Sequence, residues 1–244
     1  MKYSFLFPYK NRHGQFFNTL LSLLHWYGAR TDWDAIVILD GNDQAVTVPN
    51  NDARVKVFNV ERDGVNPAPL FNLAGRIATG DYLVITNPEC YHASDVLGWF
   101  DSVFAKDPTG YAVAACDAVR FPGQVATYSD RLGEKYSTYQ HSTEHNVWYH
   151  FCSAMSRARW KQLGGFDERF GAGYACEDDD FRDRIVCAGI PIYTDDSVKV
   201  LHQQHDKYKP TPEIHARYQH NLKLLRAGEA ARGYKHDVGK FKKH

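Results

Sequence analysis

The sequence has no run of apolar residues near the ~18 needed to cross a bilayer. Its first residues, MKYSFLFPYKNR, hold too short an apolar stretch for an export signal. Cysteine is sparse: five in 244 residues, none in a C-x-x-C pair or at zinc-finger spacing. That argues against a disulfide framework and a cysteine zinc site, and it fits reduced thiols. Neither sign of charge is in excess, with 29 Lys+Arg against 29 Asp+Glu, so no global field recruits nucleic acid or an anionic membrane. Internal repeats and an interdomain linker are also missing. The expectation is a soluble, cytoplasmic protein with no transmembrane segment.

What is present is an ordinary globular composition, 43% hydrophobic and 24% charged, in a chain long enough to bury a sizeable core. Short apolar runs alternate with helical patterns through the first half. Strands are expected at Tyr3 to Phe7, 35–39 (AIVIL), 55–60 (VKVFNV), 82–86 (YLVIT) and 111–116 (YAVAAC). Between them, Phe17, Leu20, Leu21 and Leu24 recur at helical spacing, PLFNLAGRIA (69–78) reads as a helix, and Ser94 is placed to cap another. This alternation predicts one α/β domain over 1–232, with a mostly parallel central sheet and helices on both faces. Such sheets bind ligands beyond the carboxyl ends of their strands, which selects Pro8–Arg12, Asp40–Asn42 and Asn87–His92.

The second half is less regular. Residues 117–147 are polar and aperiodic, and a segment of that length predicts a loop able to act as a lid. A strand is expected over 148–155, a helix from a Ser156 cap to Leu163, short strands near Ile192 and over Val198–Leu201, and a final helix over 213–228. Residues 233–244 read as a basic tail.

Three motifs carry chemistry. EDDD at 177–180 is an acidic helix start that either complements the helix dipole or supplies a general base. Asn87-Pro88-Glu89 sets two oxygen donors around a rigid proline, suited to a hard divalent cation. His202 ends an apolar strand as a lone imidazole ligand or a structural histidine.

The order of these pieces resembles the GT-A (Rossmann-like) nucleotide-sugar glycosyltransferases, above all glycosyltransferase family 2 and the carboxyl-terminal region of the β-1,4-galactosyltransferases. The likeness runs through FLFPYKNRHGQFFNTLLSLL (5–24), FNLAGRIATGDYLVITNPE (71–89) and FCSAMSRARWKQLGGFDERFGAGYACEDDDFRDRI (151–185). It implies a donor half over about 1–116 and an acceptor half over about 117–205. It also implies hexosyl transfer with inversion from a nucleoside diphosphate sugar, UDP being expected, to a hydroxyl of a saccharide or other acceptor. Carried over by position, Pro8, Asn11, Arg12, Asp40, Arg76 and Asn87 would contact the donor, and Glu89 and His202 would hold Mn²⁺ or Mg²⁺. Asp178 would be the base, with Glu177, Asp179, Trp148 and Tyr174 at the acceptor. The chain departs from the family at two points. Asn87-Pro88-Glu89 stands where the metal motif D-x-D is expected, and Cys176 replaces the glycine before the acidic pair. Other readings are a noncatalytic nucleotide-sugar or glycan binder of the same fold, a transferase acting on a hydroxylated DNA base with the tail on phosphates, and a nucleotidyltransferase. The nucleotidyltransferase is disfavoured because FPYKNRHG is a poor phosphate loop.

Overall fold

The first strands are apolar at nearly every position because both their faces are covered. In the computed structural model, which describes residues 2–41, 45–62, 64–206 and 209–236, every residue of β1 (Tyr3–Tyr9) is buried. α1 (His13–Tyr27) follows, then β2 (Trp33–Asp40), equally buried, β3 (Val55–Val60), α2 (Ala68–Ile77), β4 (Tyr82–Thr86) and β5 (Cys90–His92). The chain continues through α3 (Val96–Lys106), β6 (Tyr111–Val119), β7 (Lys135–Gln140), β8 (Cys152–Ser156), α4 (Arg157–Leu163), α5 (Glu177–Cys187), β9 (Ile192–Gln203) and α6 (Pro212–Arg232). Strand pleating sorts neighbours to opposite faces. Phe5 and Phe7 join Phe16, Leu20 and Leu23 of α1 and Phe100 of α3 in one core. Leu6, Ile36 and Ile38 face Phe71 of α2, Trp160 of α4, Phe181 of α5 and Leu225 of α6 in the other.

Among the described residues the sheet has nine strands in the order β3-β2-β1-β4-β8-β6-β9-β5, with β7 also on β6. β1 to β4, β6 and β9 run one way; β5, β7 and β8 run against them. The α/β class and mostly parallel sheet expected from the sequence are present, with helices on both faces. The carboxyl ends of β1, β2 and β4 open on one side, where Pro8–Arg12, Asp40 and Asn87–Glu89 lie. Asn42 of that expectation lies outside the described residues.

Four details depart from the sequence reading. Asn87–His92 holds a turn, with Cys90 N donating to the Asn87 carbonyl (3.0 Å), followed by β5. β5 pairs antiparallel with β9, Cys90 opposite His202, and β9 is one strand with an irregularity in its pairing to β6 rather than two short strands. α3 is capped by Asp95, whose side chain accepts from Gly98 N, while the Ser94 hydroxyl binds Lys199 instead. β8 begins only at Cys152: Gln140 Oε1 accepts the amides of Val147 (3.2 Å) and Trp148 (2.7 Å), and Trp148 takes φ 54°, which breaks the extended run.

The 117–147 segment is anchored rather than loose in this structure. β6 continues into it, and β7 pairs with β6. The amide of Asn18 donates to the Gly123 carbonyl (3.1 Å) and to Gln203 Oε1 (2.9 Å), and Val125 N donates to Asn18 Oδ1 (3.0 Å). Tyr128 stacks on His25 with centroids 3.6 Å apart. Asn18 is fully buried, so its truncation leaves these groups unmatched. Asn18→Ala is expected to lower stability by about 1–3 kcal/mol. The denaturation midpoint should fall with little change in slope, and the Val125 amide should exchange faster. An unchanged midpoint with unchanged Val125 protection would refute the anchoring role.

Candidate functional site

A cleft of about 550 Å³ opens beyond the carboxyl ends of β1, β2 and β4, a size that suits a nucleotide-scale ligand. Pro8, Asn11, Arg12, Asp40, Asn87 and Glu89 line it together with Glu177 and Asp178 from the start of α5. Cations gather at the β1–β2 end. Arg62 grips buried Asp40 through both oxygens (Nε–Oδ1 3.1 Å, Nη2–Oδ2 3.0 Å), and Lys10 Nζ reaches the same carboxylate at 3.3 Å. Asn11 takes a positive φ of 52° at the bend that leads into α1.

The four adjacent carboxylates of α5 coexist because successive helical residues point about 100° apart. Each therefore meets a different partner. Glu177 accepts from Asn66 Nδ2 at 2.5 Å. Asp178 faces the cleft and lies 2.6 Å from His150 Nδ1. Asp179 accepts from the Tyr149 hydroxyl (2.6 Å) and lies 2.9 Å from Arg182 Nη1. Asp180 pairs with Arg184 and Arg232, at 2.8 and 2.9 Å. The helix amino terminus adds its own favourable field to all four.

The turn before α5 is strained. Ala175 and Cys176 both have positive φ, 58° and 72°, at a cost of order 1–3 kcal/mol each. Asn221 of α6 restrains it, donating to the Ala175 carbonyl (2.7 Å) and the Phe170 carbonyl (3.0 Å). Cys176, the residue just before the acidic run, sits in this turn, and α6 supplies the restraint.

His150 is buried, with Phe71 and Phe166 edge-on to it at 4.8 and 4.9 Å. Burial alone would lower its pKa, but the charges of Asp178 and Glu177 outweigh this and raise it. The imidazolium is thus favoured beside Asp178. Burial, reinforced by the Asp178 charge, pushes Glu177 up to about 7.

At the β4 end, Glu89 is 6% exposed. Its Oε1 lies 3.2 Å from His202 Nε2 and 3.3 Å from His205 Nε2, and its Oε2 lies 3.6 Å from Arg12 Nε. Burial would raise the carboxyl, but the two imidazoles outweigh it and hold Glu89 well below the usual carboxylate range. The three side chains offer ligand atoms all within 4.8 Å of one another. One carboxylate and two imidazoles make a donor set that fits a divalent cation.

Five residues expected at the site are not among those lining the cleft; one of them, His202, lines an adjoining pocket with Tyr136 and Tyr139 and meets Glu89 at 3.2 Å. Arg76 pairs with Glu168 at 3.0 Å beside a separate depression floored by Trp160 and Phe166. The Trp148 ring packs on His236 at 4.7 Å. Tyr174 N donates to the Arg217 carbonyl (3.3 Å). Asp179 is turned to Tyr149 and Arg182. Conversely, Lys10, Arg62, His150 and His205 belong to the site and were not singled out from the sequence. His205 had a signal, three residues after His202 in LHQQH. Nothing in the sequence pairs His150 with Asp178. Residues 237–244 of the basic tail lie outside the described residues.

No family model and no curated protein matches the chain. Solved structures do. The chain is similar to residues 1–349 of S. aureus TarS in complex with UDP-GlcNAc, with a TM-score of 0.66 and 16% identity over 95% of this chain and 69% of that one. It is similar to the mannosyltransferase PcManGT of Pyrobaculum calidifontis in complex with GDP-Man and Mn²⁺, with a TM-score of 0.59 and 16% identity over 98% of this chain and 66% of that one. The longer TarS structure matches with a TM-score of 0.64 and 16% identity over 95% of this chain, which spans 41% of it. At this identity the shared property is the fold.

The Glu177 environment has a measurable consequence. The folded chain keeps this proton to about pH 7, while the unfolded chain releases it near 4.5. The folded state therefore binds more protons across that window, and this contribution to stability is lost as pH rises through it. Glu177→Gln keeps an acceptor for Asn66 and removes the titration. Between pH 4.5 and 7, wild-type stability should fall relative to the variant by on the order of 1–3 kcal/mol. Parallel stability profiles for the two proteins would rule out the raised carboxyl.

Proposed function

We propose that the chain is a glycosyltransferase that moves a sugar from a nucleoside diphosphate sugar to an acceptor hydroxyl. The observation that carries this reading is that one cleft is lined by a paired carboxylate, Asp178, and by Glu89 and His205, with His202 beside Glu89 completing a donor set, in a fold shared with structures that hold UDP-GlcNAc and GDP-Man. Pro8, Asn11 and the Asp40 end of the cleft accommodate the nucleoside, UDP being the expected donor. Arg12, beside Glu89, supplies positive charge where the diphosphate lies, while Lys10 and Arg62 neutralise Asp40. Glu89, His202 and His205 would hold a divalent cation, which would supply Lewis-acid stabilisation of the departing diphosphate.

The chain's own groups handle the acceptor. His150 fixes one oxygen of Asp178, which leaves the carboxylate to take the hydroxyl proton as the hydroxyl oxygen attacks the anomeric carbon. The new glycosidic bond forms as the bond to the diphosphate breaks, on opposite faces of the sugar, so configuration inverts. Proton transfer of this kind contributes about 10²–10⁴-fold. The acceptor class is a saccharide or another hydroxyl-bearing molecule.

A second reading, a noncatalytic nucleotide-sugar binder, draws on the neutral Asn87 in place of a carboxylate. Asp178→Asn separates the two. With UDP- and GDP-sugars and water or simple saccharides as acceptor, nucleoside diphosphate release should fall by about 10²–10⁴-fold in the variant, while donor affinity stays within a factor of a few. Equal release by variant and wild type would remove Asp178 from the base role. Tight donor binding by the wild type with no release would favour the binder.

A further inference from the structure

A second pocket, of about 320 Å³, adjoins the cleft at His205, which lines both. Two tyrosines of β7, Tyr136 and Tyr139, line it together with Arg120 and Gln204. Residues three apart on a regular strand point to opposite faces of the sheet. Here the pairing with β6 slips at both tyrosines. Val119 is opposite Lys135 and Ala118 opposite Ser137, then Asp117 is opposite Thr138 and Cys116 opposite Gln140. Tyr136 and Tyr139 are thus the extra residues of two bulges, and a bulge re-aims the side chain it carries while giving up ladder pairing. The result brings the two hydroxyls to one side, 3.3 Å apart.

The rings continue beyond the pocket. Tyr139 packs on Phe151 with centroids 5.3 Å apart, and Phe151 on Tyr149 at 6.2 Å. The Tyr149 hydroxyl is bound to Asp179, the residue after Asp178. A row of aromatic rings therefore leads from the pocket to the start of α5. It is held in place: Tyr139 and Phe151 pack against the main core, and the Arg182 guanidinium lies 5.5 Å from the Tyr149 ring. It is not itself core, because Tyr136 is 44% exposed and the other three are half-buried.

Rings edged with hydroxyls and an amide suit a ligand that has apolar faces and a polar rim. Linked sugar rings have that form, with C–H groups on their faces and hydroxyls around their edges. Nucleic-acid bases also stack on aromatic rings, but they bring phosphates. The cations around the pocket are already matched: Arg120 pairs with Glu134 at 3.1 Å, and Lys135 and Lys199 both hold Asp117 at 2.7 Å. A phosphate backbone, which binds by charge, gains little from them.

We propose that Tyr136, Tyr139, Phe151 and Tyr149 form a platform for an uncharged saccharide acceptor of more than one unit, which lies along the rings and presents one hydroxyl to Asp178. This deepens the transferase reading and rests on it for the saccharide's fate, not for its binding. The test measures binding of uncharged glucose, mannose and N-acetylglucosamine oligomers, from monosaccharide to hexasaccharide, to the full chain by calorimetry, alone and with UDP or GDP and Mn²⁺. At least one oligosaccharide should bind, and more tightly than its monosaccharide. Tyr136→Ala should weaken that binding by about tenfold or more, and Tyr136→Trp should retain it, because the ring face makes the contact. Wild-type affinity in Tyr136→Ala would overturn the platform. Absence of binding by every oligomer, with and without nucleotide, would overturn it in unmutated protein. Tighter binding of a single-stranded oligonucleotide than of any saccharide would overturn the ligand class. Saccharide binding that depends on Tyr136, with no transfer from any donor, would uphold the platform and sink the transferase reading. Transfer to a saccharide whose affinity ignores Tyr136→Ala would do the reverse.

Discussion

A carboxylate as buried as Glu89 has to be paired, and the way this one is paired organises the whole cleft. Its histidine partners come from the end of β9 and the residues just after it, more than a hundred residues later in the chain, and they reach it because three residues of β5 add to the β9 edge. Gln203 completes the junction: its backbone and side-chain N–H groups both donate to the Glu89 carbonyl, at 3.0 and 3.1 Å, and Asn18 of α1 donates to its side chain. One short antiparallel contact therefore joins the β1–β4 layer, the first helix and the last strand around a single buried charge. Breaking it would leave that charge uncompensated, the most costly outcome for a buried ion pair.

The opposite end of the cleft solves a related problem with a helix. Four acidic residues in one turn would repel if they shared a direction, but the helical rotation sends them to Asn66, His150, Tyr149 with Arg182, and Arg184 with Arg232. Three of these carboxylates serve structure, and Asp178, the most exposed of those at the cleft, is left to face it. Part of that structural work is to fasten α6 against α5, and Asn221 of α6 in turn restrains the strained turn ahead of Asp178. The bland reading of EDDD thus fits three of its residues, and the chemical reading is proposed for Asp178 alone.

The sequence was most informative where local rules suffice. Buried strands with turn residues at their ends, amphipathic helices and the Ser156 cap follow from short-range pattern, and the structure has them. What the pattern missed is set by distant partners. β5 is too short to register as a strand, and only β9 makes it one. The end of the 148–155 run at Trp148 depends on Gln140, and the packing of 117–147 depends on Asn18, neither visible as periodicity. The sequence marked Glu89, His202, Glu177 and Asp178 by their types and order, and the structure places Glu89, Glu177 and Asp178 on the cleft with His202 beside Glu89. His150 was not marked, since a histidine in an apolar stretch looks the same whether or not a carboxylate awaits it. Arg76 lies away from the cleft for the converse reason: helix α2 is where the pattern put it, but Glu168 on a neighbouring turn pairs with its guanidinium.

The central claim is that this cleft binds a nucleoside diphosphate sugar. The most direct measurement is thermal stability across a panel of UDP- and GDP-sugars, with Mn²⁺ present and with chelator. Ligand that binds only the folded chain raises the midpoint with concentration as mass action requires. The account predicts a saturable rise for at least one nucleotide sugar, larger with Mn²⁺ and absent for the free sugar. No shift for any member of the panel, with or without metal, would contradict it.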